Sequence, residues 1–289
     1  MLPVFKRVAL QVYAWALLSE GSSRTSALIR IGLAFLAWTS FAYDFALFRL
    51  PFHHISTIPE FFLFELIFFA SSTAMLVGFH SRVAAMLTAT TLFTVFYFGD
   101  NFTMSGSWTH HHAYLLAMAT ALCALTPCGK SYSLDRWFAV REAEKRNKPA
   151  PPERGSLWGL RLMSLQVSLT YFWTAFDKTT YAFLSGERLE AIFMNIYFGS
   201  LYPSFPFFHE LMVVTALVVV ILEYALAGGL LFSATRRWLL IPGILFHALL
   251  YVFVPVSIFS TTVVLLYLAY CNADHVHSVI DRLQGEVKT

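Results

Sequence analysis

Lys178 closes an apolar run, LWGLRLMSLQVSLTYFWTAFDK over residues 157–178, that is about as long as the ~20 residues a helix needs to cross a bilayer. On a helix, Arg161, Ser164, Ser168, Tyr171 and Lys178 fall within an arc of about 100°, forming one polar stripe. Such a stripe turns toward a bundle interior or a wet cavity, because facing lipid is costly. Asp177 points away from Lys178, since adjacent helical residues do not share a face. Two readings of Lys178 are open. It can reach out to the headgroups as an anchor, or it can be kept partly desolvated, so that the neutral form a base needs is accessible.

A second polar group is the triplet His110-His111-His112, which opens a helix after Ser107-Trp108-Thr109. Ser107 or Thr109 is the expected N-cap, and a helix N-terminus disfavours imidazolium, which leaves neutral histidines able to orient a partner. Consecutive histidines diverge by about 100° and cannot all ligate one metal, so no metal site is assigned. A metal there would need ligands from elsewhere, with His53, His54, Glu60, Asp100, His209 and Glu210 as candidates. Asp44, Glu65, Glu223 and His247 sit in apolar segments, where ionisable groups are expensive and mark either helix packing or a polar pocket. Cys123, Cys128 and Cys271 read as small buried hydrophobes. Phosphate loops and the H-E-x-x-H, G-x-S-x-G and C-x-x-C patterns do not occur.

The elements that must position these groups are helices in a membrane. Of 289 residues, 57% are hydrophobic and 13% charged, and the mean hydropathy is +0.62. The net charge of +3 is too small to suggest nucleic acid. The expectation is an all-α, polytopic integral membrane bundle of about eight transmembrane helices: Ser26–Phe48, Pro59–Gly78, Val83–Phe102, His110–Pro127, Leu157–Lys178, Phe207–Phe232, Trp238–Val254 and Ser257–Cys271. The last two share one apolar run, broken around Pro255 and Ser257. With both termini cytoplasmic, all but three of the 20 lysines and arginines fall inside, the exceptions being Arg49, Lys178 and Arg188. Lys178 and the histidine triplet then share the outer face. Residues 1–25 read as an amphipathic surface segment without a cleavable leader, 26–273 as the transmembrane domain, 128–156 as a cytoplasmic linker between two four-helix halves, and 274–289 as a short tail.

Three segments carry a resemblance. Ser107-Trp108-Thr-His-His-His112-Ala-Tyr114-Leu resembles the S-W-x-x-H-x-Y-L segment of the HTTM family, the membrane domain of vitamin K-dependent γ-glutamyl carboxylases and their bacterial relatives, with one extra residue. Tyr132-Ser133-Leu134-Asp135 resembles that family's Y-W-S-V-D, and Ala175-Phe-Asp-Lys178 with Gly186 resembles its A-G-x-K-K-(x)7-G. Phe246-His247 and Ser257-Ile-Phe259-Ser260 resemble later family segments. Asp177 and His111 depart from the pattern, standing where the carboxylases carry lysine and asparagine, and the chain is read as having no counterpart of the large luminal substrate-binding region.

The resemblance implies a membrane enzyme in which Lys178 is the base that deprotonates a quinol and His112 supports it. Trp108, Tyr114, Tyr171 and His247 would line the quinol site. Vitamin K hydroquinone or menaquinol would be the cofactor, O2 and CO2 co-substrates, and a peptide or protein a candidate substrate. The expected location is the bilayer, the inner membrane in a bacterium, with the active site facing outward. The alternative is a non-enzymatic binding, transport or peptide-maturation protein with a polar or metal-binding outer pocket.

Overall fold

The computed structural model describes residues 13–45, 59–102, 111–254 and 256–285. Among them the chain is all-α apart from two three-residue strands. It divides into two compact bodies, residues 1–164 with 247–289, and residues 165–246. Each of the eight expected segments carries a helix: α1 (Arg24–Phe45), α2 (Pro59–Val77), α3 (Ser81–Phe102), α4 (His111–Cys123), α6 (Trp158–Lys178), α9 (Phe208–Gly229), α10 (Ser233–Phe253) and α11 (Ser257–Leu266). Among the described residues α9 and α10 are long and apolar enough to cross a membrane. A third passes the same test if α11, its 3-10 extension Tyr267–Tyr270 and α12 (Ala273–Leu283), bent by 99°, count as one span. The break between α10 and α11 falls between Phe253 and Ser257, where the sequence predicts it.

The linker and the described part of the tail are structured. Residues 128–156 contain α5 (Leu134–Lys145) and strand β2 (Arg154–Ser156), which pairs antiparallel with β1 (Glu20–Ser22) in the register Glu20↔Ser156, Gly21↔Gly155, Ser22↔Arg154. Charge ties the strands to α12: Arg154 meets Asp274 at 2.8 Å, and the Ser22 N–H donates to the same carboxylate at 3.1 Å. Arg24 bridges Glu153 and Asp281.

Arg30 is the largest fully buried side chain of this body. It donates to the carbonyls of Met75 (2.5 Å), Leu76 (3.0 Å) and Tyr132 (2.6 Å). The first two belong to the C-terminal turn of α2, whose partial negative charge a guanidinium fork suits well; Met75 also accepts the Gly78 N–H at 3.3 Å. Gly78 ends that turn at φ +73°, and a Cβ there would run into Arg30.

The segment Tyr132-Ser133-Leu134-Asp135 now has a physical reason. Tyr132 supplies its carbonyl to Arg30, and Ser133 caps α5 by accepting from the Arg136 N–H at 2.9 Å. Asp135 accepts the N–H groups of His80 (2.7 Å) and Ser81 (2.8 Å), so it caps the start of α3.

Candidate active site

Helix α6 ends at Lys178, and the chain then folds tightly through α7 (Tyr181–Leu184) and α8 (Glu187–Phe193) before α9. Gly186 makes that fold possible. It sits at φ +83°, and a Cβ on it would lie 2.7 Å from the Val213 backbone nitrogen. Only glycine combines that backbone conformation with so close an approach of α9. Phe183 is buried against Ala216 and Val220, with Leu184, Leu189 and Val219 packed around them.

The buried face of α9 runs Met212, Ala216, Val220, Glu223, Leu226. The packing that seats Val220 on Phe183 therefore carries Glu223 one turn further along, toward the end of α6. Lys178 Nζ lies 2.6 Å from Glu223 Oε1. The lysine side chain is 27% exposed and the glutamate 5%. Glu223 Oε2 is buried without a hydrogen-bond partner among the described residues, although Thr174 lies beside this carboxylate. The Phe183 ring is 6.0 Å from Lys178 Nζ, and the Thr179 hydroxyl meets the Tyr224 hydroxyl at 3.1 Å. Phe172 packs edge-on against Tyr224 and stacks with Phe176.

This arrangement holds one ammonium and one carboxylate in an apolar, aromatic setting. Two charges so placed interact far more strongly than in water, and the carboxylate keeps a vacant acceptor for a donor brought by a ligand. Asp177 is exposed, so the partner of Lys178 is Glu223 and not its chain neighbour. A separate ion pair, His209 Nδ1 to Glu190 Oε2 at 2.7 Å, joins α8 to α9, and that bond holds the Glu190 carboxyl below its usual range.

Tyr171 shares the face of α6 that carries Lys178 and is 2% exposed; Ser168 on the same stripe is also buried. Tyr114 and His247 belong to the other body. Tyr114 is partly exposed with its ring edge-on to Phe93 at 5.8 Å, while His247 is fully buried with Phe259 and Tyr267 around its ring. His112 lies in the first turn of α4, but its side chain, together with Trp108, Ser107, Thr109 and His110, lies outside the described residues. The expected support of Lys178 by His112 falls there too. Among the described residues no three His, Cys, Asp or Glu side chains gather as metal ligands.

Sequence reasoning singled out Glu223 but did not pair it with Lys178. The available signal was the spacing 212, 216, 220, 223, which is blurred because the whole of α9 is apolar.

Comparison with known protein families matches residues 24–275 to the HTTM domain. Neither the curated proteins nor the solved structures provide a match.

Proposed function

The chain belongs to the HTTM family, and from that premise we propose that it is a membrane enzyme that takes a proton from a membrane quinol through Lys178 and Glu223. The observation that carries this reading is the 2.6 Å contact between a partly exposed lysine and a buried carboxylate with a spare acceptor oxygen. A flat lipophilic quinol fits such a setting, since its ring can pack on the aromatic side chains near Lys178 and its hydroxyl can donate to an orphaned oxygen.

The quinol supplies an acidic hydroxyl and, once deprotonated, an electron-rich ring that reacts with O2. This chain's residues handle the proton. Proton transfer within the pair, from Lys178 Nζ to Glu223 Oε1, first leaves a neutral amine, which then accepts the quinol proton: the quinol O–H bond breaks, an N–H bond forms, and the electron pair stays on the quinol oxygen. The ammonium so formed lies against the Glu223 carboxylic acid, and release of that acid's proton restores the ion pair. A setting poor in water protects the reactive products. The family resemblance adds His112, Trp108, Tyr114 and His247 as candidate residues, and it implies an outward-facing site in an eight-span bundle, with vitamin K hydroquinone or menaquinol as cofactor and CO2 incorporated into a peptide or related substrate.

The test is quinol-dependent incorporation of labelled CO2, with quinol epoxidation followed in parallel, by protein in quinol-containing liposomes. Lys178→Ala is expected to abolish both, and Glu223→Gln to lower both. Equal turnover in wild type and Lys178→Ala removes the lysine from the mechanism. Quinol binding without turnover by the wild type favours the non-enzymatic binding role.

A further inference from the structure

A cavity of about 390 Å3 lies between the start of α3, the turn after α4, and α5, all within the body formed by residues 1–164 and 247–289. That volume is within the range of small-molecule sites, roughly 300–1,000 Å3. Its lining brings together Arg82, Lys130 and Arg136, with apolar walls that include Pro127 and Pro151.

Each cation is pinned by one carbonyl: Arg82 Nε donates to Thr126 at 3.3 Å, Lys130 Nζ to Arg154 at 2.8 Å, and Arg136 Nη1 to Pro151. This fixes the side chains while leaving the terminal nitrogens of Arg82 and two Lys130 donors for a ligand. Arg136 also lies 3.6 Å from Glu153, so part of its charge is already balanced. The one carboxylate in the lining, Asp135, is turned to the start of α3, where it accepts from His80 and Ser81. The cavity therefore presents an excess of positive charge in fixed positions.

Its flank is suited to a lipid interface. Helix α5 has no buried residue, Trp137 and Phe138 are 44% and 50% exposed, and the Arg141 guanidinium stacks over the Trp137 ring at 3.7 Å. Amphipathic aromatics beside cations are what the headgroup layer of a bilayer accommodates.

The geometry points to a binding site for a phosphate-bearing anion, a monoester or diester, held by Arg82, Lys130 and Arg136. An anionic phospholipid headgroup and a soluble phosphate compound share that chemistry. The site stands apart from the quinol reading and does not depend on it.

The test uses the full chain, delipidated in detergent. One arm offers phosphatidylglycerol in phosphatidylcholine nanodiscs, with retained lipid read by native mass spectrometry. The other titrates inorganic phosphate and glycerol 3-phosphate by calorimetry. Charge-assisted contacts of this kind predict that Arg82→Gln/Lys130→Gln binds at least about tenfold more weakly, while Arg82→Lys/Lys130→Arg retains most of the affinity. Selective loss of phosphatidylglycerol supports the site with a lipid source, and selective loss of the soluble phosphates supports it with a soluble one. Equal binding by wild type and the neutralised variant, or no binding of either probe by wild type, overturns it. If the neutralised variant does not fold, hydrogen exchange of residues 126–136 in the wild type decides. Protection by either probe supports the site, and unchanged exchange with both overturns it.

Discussion

Two cations mark the two bodies of this protein, and their partners differ in kind. Arg30 is wholly buried and held by three carbonyls, two of them from the end of one helix. Lys178 is partly exposed and held by one carboxylate. Carbonyls accept hydrogen bonds but take no proton, and a guanidinium does not give one up. The Arg30 site is therefore a fixed joint that ties α1 to the end of α2 and the entry to α5. An ammonium and a carboxylate 2.6 Å apart can exchange a proton, so the Lys178 site can do chemistry as well as hold α6 to α9.

The largest effect should come from breaking the fixed joint. Arg30→Met leaves the Leu76 and Tyr132 carbonyls without this donor, while Met75 keeps the Gly78 N–H, and is expected to cost about 2–6 kcal/mol. Arg30→Lys should recover only part, because a point charge cannot fork to all three. Thermal unfolding in detergent measures both, and a loss below about 1 kcal/mol in Arg30→Met would mean the joint is not structural.

Lys178→Ala strands a buried carboxylate and is expected to cost about 2–3 kcal/mol, at or below the lower limit of the roughly 3–5 kcal/mol for fully buried pairs because the lysine is 27% exposed. The double change Lys178→Met/Glu223→Leu should regain most of that stability while remaining inactive. A double variant as active as wild type would erase the contrast between the two sites.

Gly186→Ala places a side chain at φ +83° and against the Val213 backbone, for an expected loss of about 2 kcal/mol with a fall in turnover as α9 shifts. Unchanged turnover would show that the Lys178 pair tolerates movement of α9. Asp135→Asn weakens the cap on α3 by about 1 kcal/mol and should leave quinol turnover unaltered. A loss of turnover there would join the structural joint to the chemistry.

Much of this was legible along the chain. Lys178 stood out because a cation at the end of an apolar helix is costly unless it is used, and the stripe of Ser168 and Tyr171 showed which face turned inward. The spacing to Gly186 carried the family resemblance, yet its cause, a left-handed turn under the α9 backbone, is a contact between segments far apart in sequence. The strands β1 and β2 were not foreseen, because three residues each, centred on Gly21 and Gly155, carry no alternation to read.

The sequence by itself determined the membrane class, the all-α fold and the family, because hydrophobic run length, charge content and local motifs are properties of neighbouring residues. It also marked Lys178 and Glu223 as polar groups in apolar surroundings. Only the tertiary structure decided what each of them meets. Helix α9 is apolar nearly all round, so no periodicity told which face would be buried, and Glu223 became the partner of Lys178 through the packing of Phe183 on Ala216 and Val220. A cation's chemistry depends on whether its partner can accept a proton, and that partner is chosen by packing.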